Sequence, residues 1–136
     1  MSQNTPTIIA APTEASSLYA FWKTERRVWL EGPLACREYI DDEAVLLPPD
    51  PFPPTTFAEA APGMKRARPF DEVRLQDRRF IQRNGAVVLI YRASAKHPRY
   101  KRRYCASCMT TYGVSSGKWK IVAHAQRALK RGSLPD

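Results

Sequence analysis

A chain of 136 residues, 43% hydrophobic and 26% charged, is the size of one globular domain, long enough to bury roughly two-thirds of the surface its unfolded form exposes. Its longest wholly apolar run, Ala86 to Tyr91, is six residues where a spanning helix needs about 20, which argues against a membrane protein. Three Trp, six Tyr and five Phe supply more core material than a disordered chain carries. The formal charge of +9 is unevenly spread: residues 1–64 hold four basic and nine acidic side chains, residues 65–131 hold 18 basic and three acidic. Such asymmetry suits an anionic ligand or polyanion, although Lys and Arg also guard sheet edges.

Residues 1–12 read as a loose arm, in which Thr7 to Pro12 is too short and lacks the basic lead-in of a secretory signal. Thr13 is a plausible N-cap with Glu14 in the first turn. Leu18, Phe21, Trp22, Glu25, Val28 and Trp29 then recur at spacings of three and four, which predicts an amphipathic helix. Gly32 ends it, and Pro33 opens a short second helix through Tyr39. Asp41-Asp42 is expected to turn before a short strand, Ala44 to Leu47. Residues 48–69 carry seven of the twelve prolines and form a long loop of the kind that makes a lid or binding rim, with one helical turn near Phe57 to Ala61.

From Phe70 onward the pattern is β. Residues 70–83 alternate in part, Asn84-Gly85 signals a type I′ hairpin, and Ala86 to Ala95 is β-branched and aromatic. His97-Pro98-Arg99 turns the chain into a strand from Tyr100 to Val114, and Ser115-Ser116-Gly117 leads to a last strand, Trp119 to Arg127. The expectation is one α+β domain over residues 13–128, with a tail at 129–136 and helices packed on one face of the sheet. Asp77 and Arg92 would face each other across a hairpin as a structural ion pair.

Cys36, Cys105 and Cys108 are an odd count without an export signal, so reduced thiols in the cytoplasm are expected. Cys105 and Cys108 have half-site metal or redox spacing, but no second pair completes a metal site, and on a strand the two sulfurs point to opposite faces. No cofactor and no metal are expected.

Three segments give the chain a family likeness. Tyr39-Ile40-Asp41-Asp42-Glu43-Ala44-Val45-Leu46-Leu47-Pro48, Val88 to Ala95, and Gly117-Lys118-Trp119-Lys120-Ile121-Val122-Ala123-His124-Ala125-Gln126 together resemble the nuclear transport factor 2-like superfamily, the last being similar to the final strand of uncharacterised SnoaL-like bacterial members. The resemblance spans residues 14–128 and implies a cone: helices against a curved antiparallel sheet of four long strands and one short one, enclosing a pocket. It does not imply one activity, because this scaffold hosts isomerases, dehydratases, hydrolases and binding modules. Ketosteroid isomerisation needs a carboxylate base and hydrogen-bond donors for the oxyanion. The base position is Leu47, the oxyanion-side acid falls on Met109, and the first-helix tyrosine has no match, the count landing near Glu25. Steroid-type isomerisation is therefore not expected.

The same registration implies that Val122, His124 and Gln126 line the cavity, and period-two geometry adds Cys105, Ser107 and Met109 across the hairpin. Tyr91, Trp22, Tyr39 and Leu47 complete the expected ligand-binding set, in an interior free of carboxylates. His124 is the candidate general acid or base, with no acid predicted to orient it. The leading function is a small-molecule-binding domain for an apolar or amphipathic ligand, its anionic end drawn by Arg74 or Arg78. One alternative is a lyase, isomerase or hydrolase acting through His124. Another is a basic nucleic-acid-binding module using Arg99-Tyr100-Lys101-Arg102-Arg103-Tyr104, disfavoured because no recognised nucleic-acid motif is present. A homodimer through the outer sheet face, anchored by Trp119, Tyr104 and Tyr112, is also expected.

Overall fold

The computed structural model describes residues 15–129, so the arm, the Thr13 cap and the last residues of the tail lie outside the described residues. Helix α1 (Ala15–Glu31) ends at Gly32, whose φ of +91° suits glycine. Its buried stripe is Phe21, Trp22, Glu25 and Trp29, so the apolar face carries one carboxylate in its middle. Pro33 leads into a 3-10 helix (Leu34–Tyr39).

Strand β1 (Ile40–Leu47) starts four residues earlier than expected. Asp41-Asp42 is not a turn but an irregular stretch of strand, where the register against β6 shifts between Ile40 and Val45. Asp41 earns its place there by accepting hydrogen bonds from the Ser115 hydroxyl and the Glu43 amide, which hold its carboxyl below the usual range. The proline-rich segment is more ordered than its composition suggests. It contains β2 (Thr55–Thr56) and α2 (Phe57–Met64), the latter closed by a reciprocal capping box between Thr56 and Glu59.

The remaining chain folds into β3 (Glu72–Arg83), β4 (Ala86–Lys96), β5 (Tyr104–Ser115) and β6 (Lys118–Ala128). Two hairpins are closed by Asn84-Gly85 and Ser116-Gly117, all four residues at positive φ as type I′ turns require. Residues 100–103 belong to the β4–β5 loop, so β5 begins four residues later than the sequence pattern suggests. The six-stranded sheet runs β2-β1-β6-β5-β4-β3; β1 and β6 are parallel, and the other neighbours antiparallel. Bulges interrupt β3 at Gln76 to Arg79 and the β5–β6 ladder next to Thr111, and such extra residues bend strands and give a sheet its curl.

Alternation decides which side chains turn inward. Val87, Leu89, Tyr91, Ala93 and Ala95 of β4 are buried on the concave face, and in β5 the buried set is Ala106, Cys108, Thr110 and Tyr112. Helix α1 lies over them: Phe21 packs on Tyr112 with ring centroids 4.3 Å apart, Trp22 meets Tyr91 edge-on at 5.7 Å, and Trp29 meets Phe70 at 5.3 Å. The architecture is an α+β cone, with helices on one face of a curved sheet. The Asp77–Arg92 pair is present at 3.8 Å, exposed at the bulge.

A cavity with a buried carboxylate at its inner end

Between α1, the 3-10 helix, β1, α2 and the concave sheet lies a cavity of about 570 Å³. That is within the range of small-molecule sites. Its walls are apolar, with Val28 and Trp29 from α1, Ile40 and Leu46 from β1, and Phe57 and Met64 from α2. The two ends of the proline-rich segment form the mouth, through Pro48 and Pro49 on one side and Lys65, Arg68 and Pro69 on the other. Glu31 also lines the mouth, but its carboxylate is held by Arg27 at 2.9 and 3.1 Å, which keeps its pKa low. Lys65 and Arg68 have no carboxylate partner among the described residues, so the mouth is basic.

The inner end is polar. Glu25, only 3% exposed, accepts hydrogen bonds at Oε1 from the Tyr91 hydroxyl at 2.7 Å and the Thr110 hydroxyl at 2.6 Å, and at Oε2 from the Tyr112 hydroxyl at 2.6 Å. The Trp29 indole N–H donates to the Tyr91 oxygen at 3.0 Å. Thr110 Oγ1 lies 2.7 Å from His124 Nδ1, while His124 Nε2 lies 3.0 Å from Gln126 Oε1. The Gln126 amide nitrogen donates to the Tyr104 hydroxyl at 2.8 Å. Eight side chains from α1, β4, β5 and β6 thus form one connected network. Burial, reinforced by the Glu25 charge, drives the Tyr91 and Tyr112 pKa values well above the usual phenol range, and burial pushes the Cys108 thiol up to about 12. All three therefore stay protonated near neutral pH.

This interior corrects the expectation of a carboxylate-free cavity and supplies the acid that His124 was expected to lack. Glu25 was legible as a lone acid on the apolar stripe of α1, a position where burial demands hydrogen-bond donors. What the sequence could not supply was the identity of those donors, 66 to 87 residues away.

Tyr91, His124 and Gln126 line the cavity, whereas Leu47 touches only its rim beside Pro48: Leu46 pairs with His124 and turns inward, and Leu47 pairs with Ala125 on the outer face. The other expected residues lie elsewhere. Ser107 and Met109, like Cys105, point to the outer face of β5, because Thr110 pairs with His124 and the inward set is the even-numbered one. Val122 is displaced by the bulge between Thr111 and Tyr112: Ile121 lines the cavity instead, and Val122 packs beside Gly113. Trp22 is buried behind Tyr91 with the Arg78 guanidinium 5.2 Å above its ring, and Trp29 takes the wall position. Tyr39 sits under Arg27 outside the lining. Arg74 and Arg78 do not line the mouth; Lys65 and Arg68 do.

Comparison of the whole fold places it among nuclear transport factor 2-like structures. A candidate ketosteroid isomerase from Parabacteroides distasonis superposes with a TM-score of 0.69 at 13% identity, covering 88% of this chain and 91% of that one. A nuclear transport factor 2-like protein of unknown function in nutrient uptake from Rhodospirillum rubrum gives 0.67 at 14% identity, covering 83% and 98%. A CaMKII hub from S. rosetta gives 0.69 at 10% identity, covering 89% and 100%. No family model matches the chain, and no curated protein does. The chain has the nuclear transport factor 2-like fold.

Proposed function

We propose that this protein is a small-molecule-binding domain whose cone cavity takes one compact, mostly apolar molecule with a polar group at its inner end. The observation that carries this reading is the 570 Å³ apolar cavity that ends on Glu25, Tyr91, His124 and Gln126. The basic mouth at Lys65 and Arg68 suits an anionic group on the outer end of the ligand. The free cysteines, Cys36, Cys105 and Cys108, suit a reducing compartment such as the cytoplasm.

A thermal-shift panel of small aromatic and aliphatic acids, ketones and alcohols tests the reading. A member at about a hundred times its Kd stabilises the fold by ~2.7 kcal/mol, which raises Tm by several degrees. Leu46→Trp, which fills the cavity from β1, removes that shift while the variant still unfolds cooperatively. A panel in which no member shifts the wild type, or shifts both proteins equally, contradicts it.

The partner we propose is a second copy of the chain, docked through the outer sheet face. Two adjacent cross-strand rows there are largely apolar: Val45, Ala123, Thr111, Val88 and Ile81 in one, and Leu47, Ala125, Met109 and Ile90 in the next. Val45, Leu47, Ile81 and Met109 are each more than 40% exposed. The expected anchors are not on this face. Tyr112 is buried, Tyr104 stacks on Phe70, and Trp119 packs against Phe21, so the rows centred on Met109 take their place. That one structural neighbour is a hub supports assembly through this fold. Light scattering at micromolar concentration is expected to give a dimer for the wild type and a monomer for Met109→Arg. A monomeric wild type rules the interface out.

A further inference from the structure

Counting protons in the inner network assigns its charges. Tyr91, Thr110 and Tyr112 all point hydroxyls at the Glu25 oxygens within 2.7 Å, and the Tyr91 oxygen is already occupied by the Trp29 N–H. An ionised carboxylate accepts all three bonds, whereas a protonated one needs Thr110 to accept from it and to turn its own proton to His124 Nδ1. If Thr110 gives its only proton to Glu25, its oxygen can only accept from His124 Nδ1, 2.7 Å away. On the opposite side of the ring, Nε2 faces an acceptor, Gln126 Oε1, because the Gln126 amide nitrogen is turned to Tyr104. With the charge on Glu25 and the Gln126 amide so turned, both ring nitrogens carry protons. The other ionisable groups facing Glu25, which are Tyr91 on β4 and Cys108 and Tyr112 on β5, are held neutral by burial.

We infer that the inner end of the cavity is a proton-donating site: an imidazolium at His124, balanced through the Thr110 hydroxyl by the Glu25 carboxylate, that takes the carbonyl or carboxylate oxygen of a ligand. This deepens the small-molecule reading and rests on it. Gln126 Oε1 occupies the position on Nε2 that a ligand oxygen would take, so binding exchanges one acceptor for another. Full transfer moves the Nε2 proton to the ligand oxygen and leaves a neutral ring whose Nδ1–H still bonds to Thr110. Thr110 acts as a positioning residue, since it touches the acid and the carboxylate but does not line the cavity. The Glu25–Thr110–His124 arrangement differs from an acid bonded directly to histidine in placing a hydroxyl between them. A carboxylate in direct contact would hold Nδ1 whatever residue stood at position 110.

The test uses the unliganded full chain, so it fails or succeeds independently of whether any ligand is found. Long-range 1H–15N NMR at pH 7 reads the protonation of each ring nitrogen. The chain has two histidines, and His97→Gln identifies the His124 signals. The expected result is a doubly protonated His124 ring in the wild type and in Thr110→Ser, which keeps the hydroxyl. One ring proton is lost in Glu25→Gln, where the balancing charge is gone, and in Thr110→Val, where the connection is broken. A singly protonated ring in the wild type overturns the proposal, as does a doubly protonated ring that survives Glu25→Gln unchanged.

Discussion

Replacing Glu25 by Ala is expected to lower the unfolding free energy by about 3–5 kcal/mol, the cost of dismantling a buried hydrogen-bonded charge rather than of trimming a side chain. The reason lies in what the carboxylate leaves behind. Tyr91, Thr110 and Tyr112 are each 2% exposed or less, and their hydroxyls have Glu25 as their principal acceptor. The three hydroxyls are buried at the inner end of the cavity, so at least part of that hydrogen bonding goes unmade. Tyr112→Phe, which removes one of the three hydroxyl donors to Glu25, is expected to cost only ~1 kcal/mol, because the carboxylate keeps Tyr91 and Thr110. Urea unfolding measures both. A loss below about 1 kcal/mol for Glu25→Ala would mean that the carboxylate is solvated in the native state and that the network is not a structural unit.

Trp29→Ala has a comparable effect for a different reason. The indole is 8% exposed, joins α1 to Phe70 and Tyr104, forms part of the cavity wall and donates to Tyr91. Truncating a buried aromatic of this size costs about 3–5 kcal/mol, and here the void opens into an existing cavity. Trp29→Phe retains most of the packing and loses only the N–H, so a cost of ~1–2 kcal/mol is expected. Because Trp29 and Glu25 share Tyr91, the two Ala substitutions should not add. A double-mutant cycle is expected to show at least ~0.5 kcal/mol of coupling, and strict additivity would separate the helix packing from the polar network.

The parts of this fold that were legible in sequence are those set by local chemistry. Asn84-Gly85 and Ser116-Gly117 fix two hairpins because few other residue pairs accept positive φ in succession. The three- and four-residue spacing from Leu18 to Trp29 fixes the buried face of α1. Less legible was anything that depends on counting along a strand. Assigning β5 its inward face required knowing that it starts at Tyr104, and a shift of one residue exchanges Met109 for Thr110. The bulge beside Thr111 breaks the period-two argument again, sending Val122 out and Ile121 in. Glu25 shows a third kind of gap. A carboxylate on an apolar stripe is visible in the sequence, but its worth depends on three hydroxyls that only the folded sheet brings together.

The absent steroid-isomerase residues and the observed network together narrow the chemistry. Leu47 and Met109 cannot exchange protons, and Met109 does not face the cavity. The carboxylate and imidazole at its inner end, Glu25 and His124, come from α1 and β6, not from the positions at which the resembled isomerase carries its carboxylates. Nothing here requires the basic loop of residues 99–103 to meet nucleic acid. Arg103 is already engaged, bonding Glu72 at 2.6 Å and Ser94 at 2.6 and 2.8 Å.

Fluorescence titration with 4-bromobenzoate puts the whole account at risk in one experiment. This small aromatic acid carries a heavy-atom quencher, and Trp29 is the tryptophan in the cavity wall. Saturable quenching in the wild type that disappears in Trp29→Phe is the expected result. Quenching that rises linearly without saturation, and equally in both proteins, would mean that the acid meets tryptophan only by collision and that the cone admits no guest.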